Sequence, residues 1–275
     1  MATTDTAVRI GLALGGGFAR GIAHAGVLQI LEQHRIPIHC VTGISAGAIV
    51  ASAYASGATP AEIAVVGCSM RFGDVGALRP SRLGLVSSAC MGRFLSRLLR
   101  TDRFETMTIP LGVMATDLST GNPVAFRGAG SVVEPLRASC AFPGLFEPVR
   151  HRGQLLVDGA MSVGVPAALA RQLGATHVVS VTVPAVPLCD EPGNLVQVVG
   201  RCFQLLQGRL DDEWRRETDL VIAPEVGGVG WRAFDRGPEL IQAGAHAAIA
   251  ALPVIERWLS LTSSVAGDAD ARIAA

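Results

Sequence analysis

The sequence predicts a three-layer α/β/α sandwich built on a largely parallel central sheet. Apolar stretches of strand length alternate with helix-length segments along the chain. The strand-length stretches are apolar throughout instead of at every second position, the pattern of strands buried on both faces by helices. At 275 residues the chain can also bury a full core, and roughly 250 residues is an ordinary size for one α/β domain. We expect a flexible start over residues 1–8, one domain over 9–260 and a frayed tail over 261–275, where Ser263 to Asp270 are small and polar.

Val8 to Leu14 reads as the first strand, with a helix from Gly21 to Gln33 behind it. Ile38 to Thr42 then predicts a second strand and Ala46 to Ser56 a second helix. Thr59-Pro60-Ala61-Glu62 supplies an N-cap, a proline at the first helical position and a glutamate at the third, and Ser131-Val132-Val133-Glu134 repeats the capping-box spacing. Between Leu85 and Arg100, Met91, Phe94, Leu95, Leu98 and Leu99 recur at helical spacing while Arg93, Arg97 and Arg100 fall on a more polar side. That pattern predicts a surface helix burying one face, and it also fits a lid or a helix resting on a lipid surface. A weaker version recurs from Phe203 to Arg209. Later strands are expected at Ile109 to Ala115, Leu155 to Val157, His177 to Val183 and Leu220 to Ile222, with a helix opened by Pro166 and closed by Gly174.

Charge and cysteine usage narrow the function classes. The 23 basic residues balance the 23 acidic ones, so the whole-chain field gives no reason to expect nucleic-acid binding. Six cysteines (Cys40, Cys68, Cys90, Cys140, Cys189 and Cys202) stand far apart with no C-x-x-C pair, as reduced core cysteines of a cytoplasmic protein do. Met1 to Thr6 lacks the basic and apolar regions of a signal peptide, and no run of about 18 apolar residues reads as a membrane span. A mean hydropathy of +0.41 fits an apolar binding groove as well as a thick core.

Two glycine-bearing turns carry the chemistry. Gly15-Gly16-Gly17-Phe18-Ala19-Arg20-Gly21 follows the first strand and opens the first helix, so successive N–H groups and the helix dipole face one point. Such a loop suits either a nucleotide pyrophosphate or the oxyanion of an acyl-transfer intermediate. The dinucleotide pattern G-x-G-x-x-G fails in register, because Gly21 comes one position late. Gly43-Ile44-Ser45-Ala46-Gly47 lies between the second strand and second helix, the nucleophile-elbow arrangement that presents a serine hydroxyl clear of the sheet. The same serine also suits a plain helix cap.

A serine nucleophile needs a base. Of His24, His34, His39, His151, His177 and His246, none follows a late strand as a triad histidine does. His24 and His177 read as packing or hydrogen-bonded residues, and His151, on a polar turn, is the best of the six. Asp158 is the stronger candidate: it ends an apolar strand, and Gly159 after it permits close backbone approach, although a turn aspartate has the same sequence context.

Taken with His24-Ala25-Gly26-Val27-Leu28, the segment Arg137 to Val149 and Val157-Asp158-Gly159-Ala160, these motifs resemble the patatin-like phospholipases in order and spacing. The resemblance runs from about Arg9 to Val183 and is strongest to the bacterial branch similar to the neuropathy target esterase domain. It implies a patatin-like fold and a Ser-Asp dyad without a catalytic histidine, with Ser45 as nucleophile and Asp158 as general base. It further implies an oxyanion hole from the N–H groups of Gly15, Gly16 and Gly17, with Arg20, Gly43, Gly47 and Gly159 in supporting places. Phe18 departs from the small residue frequent in such loops. The expected activity is hydrolysis of phospholipid, lysophospholipid or another acyl ester through an acyl-enzyme, with no cofactor and no metal. Acyl transfer by the same dyad and lipid binding without turnover are the alternatives. The expected partners are the lipid ester and, transiently, a membrane surface.

Overall fold

The computed structural model describes residues 7–183, 191–193, 195–230 and 232–273. Cys189 and the first six residues of the expected flexible start lie outside them.

The described elements alternate as the apolar runs predict. In chain order they are β1 (Ile10–Leu14), α1 (Ala23–Gln33), β2 (Ile38–Ile44), α2 (Ala46–Ala55), α3 (Pro60–Ser69), α4 (Phe72–Val75), β3 (Ala77–Leu78), β4 (Val86–Ser87) and α5 (Met91–Leu98). They continue with β5 (Leu111–Asp117), β6 (Pro123–Arg127), α6 (Val133–Ser139), β7 (Val149–His151), β8 (Gln154–Asp158), α7 (Ala167–Gln172), β9 (His177–Val181), α8 (Leu195–Arg216), β10 (Leu220–Ile222) and α9 (Gly237–Ile273). Short 3-10 turns at Phe18–Ile22 and Gly159–Met161 follow β1 and β8.

The main sheet has the order β10-β9-β1-β2-β5-β8-β7, with β6 also paired to β5. From β10 to β5 every pairing is parallel; β6, β8 and β7 are antiparallel additions. The central strands are apolar on both faces because helices cover both: all five residues of β1 and all seven of β5 are buried. β6, by contrast, alternates exposed and half-buried residues and opens with a proline, an edge-strand signature that a search for continuous apolar runs passes over.

One feature of the register positions the site. β2 pairs with β5 up to Ile44 opposite Met114, while β8 pairs with β5 from Leu156 opposite Asp117 down to Asp158 opposite Ala115. β6 occupies the other edge of β5 over Gly112 to Thr116. β2 and β8 therefore share one edge of β5, run in opposite directions, and end against neighbouring residues of it.

Local signals hold in most places. Thr59 and Glu62 form the expected capping box on α3, and Gly174 follows α7 at φ 97°, the left-handed exit that favours glycine. The second capping box does not form. Ser131 Oγ accepts from the Val133 N–H at 3.3 Å, but Glu134 turns away to His151 Nδ1 at 2.9 Å, because β7 brings an imidazole within reach. α5 packs as an ordinary surface helix: Met91, Phe94, Leu95 and Leu98 are buried in the main core, and on the polar side Arg97 pairs with Asp74, while Arg100, just beyond the helix, pairs with Glu62. The helix starts only at Met91, and Val86–Ser87 near the start of the expected segment form β4 instead.

α9 differs from expectation at both scales. Its helix continues through Ile273, past Ser260 where composition predicts an end. The stretch Phe234–Leu261 is also long and apolar enough, by length and composition, to cross a bilayer, correcting the reading that no such run exists. Here it lies against α1, and the contact is close because both helices present glycine: a Cβ at Gly26 would fall 1.9 Å from the Ile241 carbonyl oxygen, and one at Gly244 would fall 1.9 Å from that of Ala23.

Candidate active site

Ser45 sits between the last residue of β2 and the first turn of α2 with φ 54° and ψ −125°. A left-handed φ on a residue with a Cβ costs on the order of 1–3 kcal/mol and persists only where neighbours hold it. Two contacts do so here. The Ser45 N–H donates to Ser139 Oγ at 2.8 Å, and the Ser139 hydroxyl donates to the Met114 carbonyl at 2.7 Å. The flanking glycines are needed for close approach: a Cβ at Gly47 would lie 2.4 Å from both the Leu14 and Gly15 carbonyl oxygens, and one at Gly43 would lie 2.5 Å from Ala48 Cα. The elbow is thus wedged against the end of β1.

Asp158 arrives from the other direction. Its side chain accepts the Ala160 N–H at 3.0 Å, and the neighbouring Ser45 side chain favours its charged form. Gly159 is required beside it, since a Cβ there would fall 2.3 Å from the Met114 carbonyl oxygen. Burial pushes the Asp158 carboxyl up to about 7, against the lowering effect of the Ala160 N–H and the Ser45 side chain. Such a group exchanges a proton near neutral pH, which suits a general base.

The glycine loop lies alongside. Gly16 is the neighbour of Ser45, a Cβ there lying 3.3 Å from Ser45 Cβ. Gly16 and Gly17 keep their amides free of hydrogen-bond partners among the described residues, but Gly15 does not: its N–H donates to the Val181 carbonyl at 2.9 Å. Of the three amides expected to meet an oxyanion, the Gly15 N–H is therefore already taken, because it continues the β1–β9 ladder. Ser45 is also the N-cap of α2, whose positive end favours negative charge at this point. Arg20 is 6% exposed in the turn after the loop, and burial lowers its pKa. Phe18 adopts φ 51°, rare for a bulky residue. Its ring packs edge-on to Phe142, which packs edge-on to Phe203 of α8, so the departure from a small residue ties the loop to two other elements.

His151, the best histidine candidate, lies elsewhere. His151 pairs with Gln154 in register, four residues up β8 from Asp158 and so roughly 13 Å along the strand, with its ring against Phe126. Among the described residues no cluster of three or more His, Cys, Asp or Glu side chains comes together to hold a metal ion.

A profile described as patatin-like phospholipase matches residues 12–171, more than half of the chain. The chain belongs to the patatin-like phospholipase family. Among curated members, an uncharacterized NTE family protein of Mycobacterium tuberculosis is 29% identical over 284 residues, covering 88% of this chain and 46% of that protein. A lysophospholipase of Mycosarcoma maydis is 32% identical over 185 residues, 64% of this chain and 10% of its own length. Human patatin-like phospholipase domain-containing protein 6 is 28% identical over 191 residues, 66% of this chain and 14% of that protein. This patatin-like chain thus spans less than half the length of these relatives. In fold it is similar to VipD from Legionella pneumophila, with a TM-score of 0.55 at 15% identity, over 90% of this chain and 67% of that one.

Two residues at the patatin-like site escaped the residue-by-residue reading of function. Ser139, which braces the elbow, was visible only as part of a motif segment, and Cys140, which lies beside Ser45, only as a core cysteine. Burial, then the Asp158 charge, holds the Cys140 thiol well above its ordinary pKa, so it stays protonated beside the serine. His24 reads from sequence as hydrogen-bonded, and it is: its Nε2 meets the Gly15 carbonyl oxygen at 2.9 Å.

Proposed function

We propose that the chain is a serine acyl-ester hydrolase for lipid or related acyl esters, working through a Ser45–Asp158 dyad. The observation that carries this reading is the meeting of Ser45, strained on its elbow, with the buried Asp158 carboxyl at neighbouring rungs of β5, where burial raises that carboxyl to about 7. Ser45 Oγ attacks the ester carbonyl carbon as its proton passes to Asp158. The negative charge that develops on the carbonyl oxygen is met by the N–H groups of Gly16 and Gly17 and by the N-terminus of α2. Collapse expels the alcohol, which takes the proton from Asp158 and leaves an acyl-enzyme. Water then gives a proton to Asp158 and attacks the acyl carbon; the acid departs and Ser45 recovers its proton.

Family membership and the name of the Mycosarcoma maydis relative, a lysophospholipase, support lipid esters as the substrate class. The test is a panel of phospholipids, lysophospholipids and p-nitrophenyl acyl esters assayed with wild type, Ser45→Ala and Asp158→Asn. Hydrolysis by wild type and its loss in both variants is the expected result. Full activity in either variant overturns the dyad, and failure of a fluorophosphonate probe to label wild type at Ser45 overturns the nucleophile.

A further inference from the structure

His24 takes no part in those proton transfers, yet it is fully buried in the first turn of α1 and joined to the glycine loop. A carbonyl oxygen only accepts, so the bond to Gly15 requires the hydrogen on Nε2. Burial drives the imidazole pKa down to about 4, so the ring is neutral and Nδ1 carries a bare lone pair. That atom has no hydrogen-bond partner among the described residues. A dry polar atom in a core is costly, and a leucine would fill similar space without one. The orphaned nitrogen is tolerated for what Nε2 does.

Gly15 is where β1 leaves the sheet. Its N–H still serves the ladder to Val181, whereas its carbonyl turns to His24. The peptide that follows is trans, so the Gly16 N–H points opposite to the Gly15 carbonyl. With glycine on both sides, no Cβ fixes the plane of that peptide. The His24 N–H holds it instead, and the bare Cα of Gly47 leaves room for the Gly15 oxygen, since a Cβ there would lie 2.4 Å from it.

We propose that His24 is a positioning residue for the oxyanion site, its Nε2–H holding the Gly15 carbonyl so that the opposed Gly16 N–H is presented to the acyl oxygen above Ser45. This rests on the acyl-hydrolase reading. Losing one oxyanion donor typically lowers turnover about 100- to 1,000-fold. His24→Leu, which has no donor, should therefore lower kcat about 100-fold with KM changed less than about threefold, and slow fluorophosphonate labelling in parallel, because the phosphonyl oxygen uses the same amides. His24→Gln, which keeps an N–H at similar reach, should stay within about tenfold of wild-type kcat.

A kcat for His24→Leu within about threefold of wild type overturns the assignment. So does an equal loss in both variants that follows their melting temperatures, which marks a purely structural role. Should His24→Leu fail to fold, His24→Gln decides: a crystal structure keeping the Gly15 contact while kcat falls about 100-fold overturns the proposal. Absence of Ser45-dependent hydrolysis in wild type would instead remove the acyl-hydrolase reading. The crystal structure of His24→Leu still judges the positioning claim in that case: a Gly15–Gly16 peptide turned from its wild-type plane supports it, and one that has not moved overturns it.

Discussion

Ser45 and Asp158 leave their strands at neighbouring rungs of one edge of β5, Ile44 lying opposite Met114 and Asp158 opposite Ala115. Because β2 is parallel to β5 and β8 antiparallel, both chain ends point into the same gap. The meeting of these two residues is thus a product of register, and a one-residue slip of β8 would carry Asp158 to the other face of the sheet.

The base must be ionised to accept the serine proton. With Asp158 at about 7, kcat/KM for a p-nitrophenyl ester should fall as pH drops through that value and level off above it. A profile flat from pH 8 to pH 5 would remove Asp158 from the role.

The same shift predicts a stability effect. The folded value of about 7 exceeds the ordinary carboxylate value of 3.8, so the folded protein holds this proton more tightly than the unfolded chain does. The stabilisation is complete below about pH 4 and is lost as pH rises through about 7. An asparagine never ionises and can still accept from the Ala160 N–H. Asp158→Asn should therefore melt several degrees above wild type at pH 8, with the difference shrinking toward pH 4; equal melting temperatures at pH 8 would contradict the burial cost.

Ser139→Ala removes the brace on the strained elbow. It leaves the buried Ser45 N–H without its acceptor, a cost of about 1–3 kcal/mol, and frees Ser45 to relax from φ 54°. Denaturant unfolding should show that loss, and kcat should fall by about 10- to 100-fold, the scale of a roughly 1 Å misplacement.

Glycine substitutions separate packing from propensity. Gly47→Ala places a methyl 2.4 Å from two backbone oxygens, and activity with Ser45-probe labelling should be abolished. Gly92→Ala, inside α5, meets only Val133 at 3.8 Å and should leave activity intact while stabilising by up to about 1 kcal/mol.

His151→Ala should keep activity within about threefold of wild type, since a side chain roughly 13 Å along β8 from Asp158 cannot relay its proton. A loss approaching that of Ser45→Ala would point to a histidine relay.

The sequence by itself determined the sheet class, the order of its central strands and helices, and the two glycine turns, because those depend on local periodicity and on residues whose backbone needs are local. It could also name Ser45 and Asp158 as candidates, since Ser45 stands centrally between the two glycines of a strand-to-helix turn and Asp158 ends an apolar run just before a glycine. Only the tertiary structure decided which amide of the glycine loop is already taken. Gly15, Gly16 and Gly17 are identical as residues, and what divides them is the neighbouring strand: Val181 takes the Gly15 N–H, and no pattern within the loop encodes that. The Ser139 brace, the turning of Glu134 from its capping box to His151 and the seating of α9 on α1 were hidden for the same reason. Each is a contact between segments distant in the chain, fixed by sheet register and by glycine-to-backbone packing, and only the folded arrangement brings those partners together.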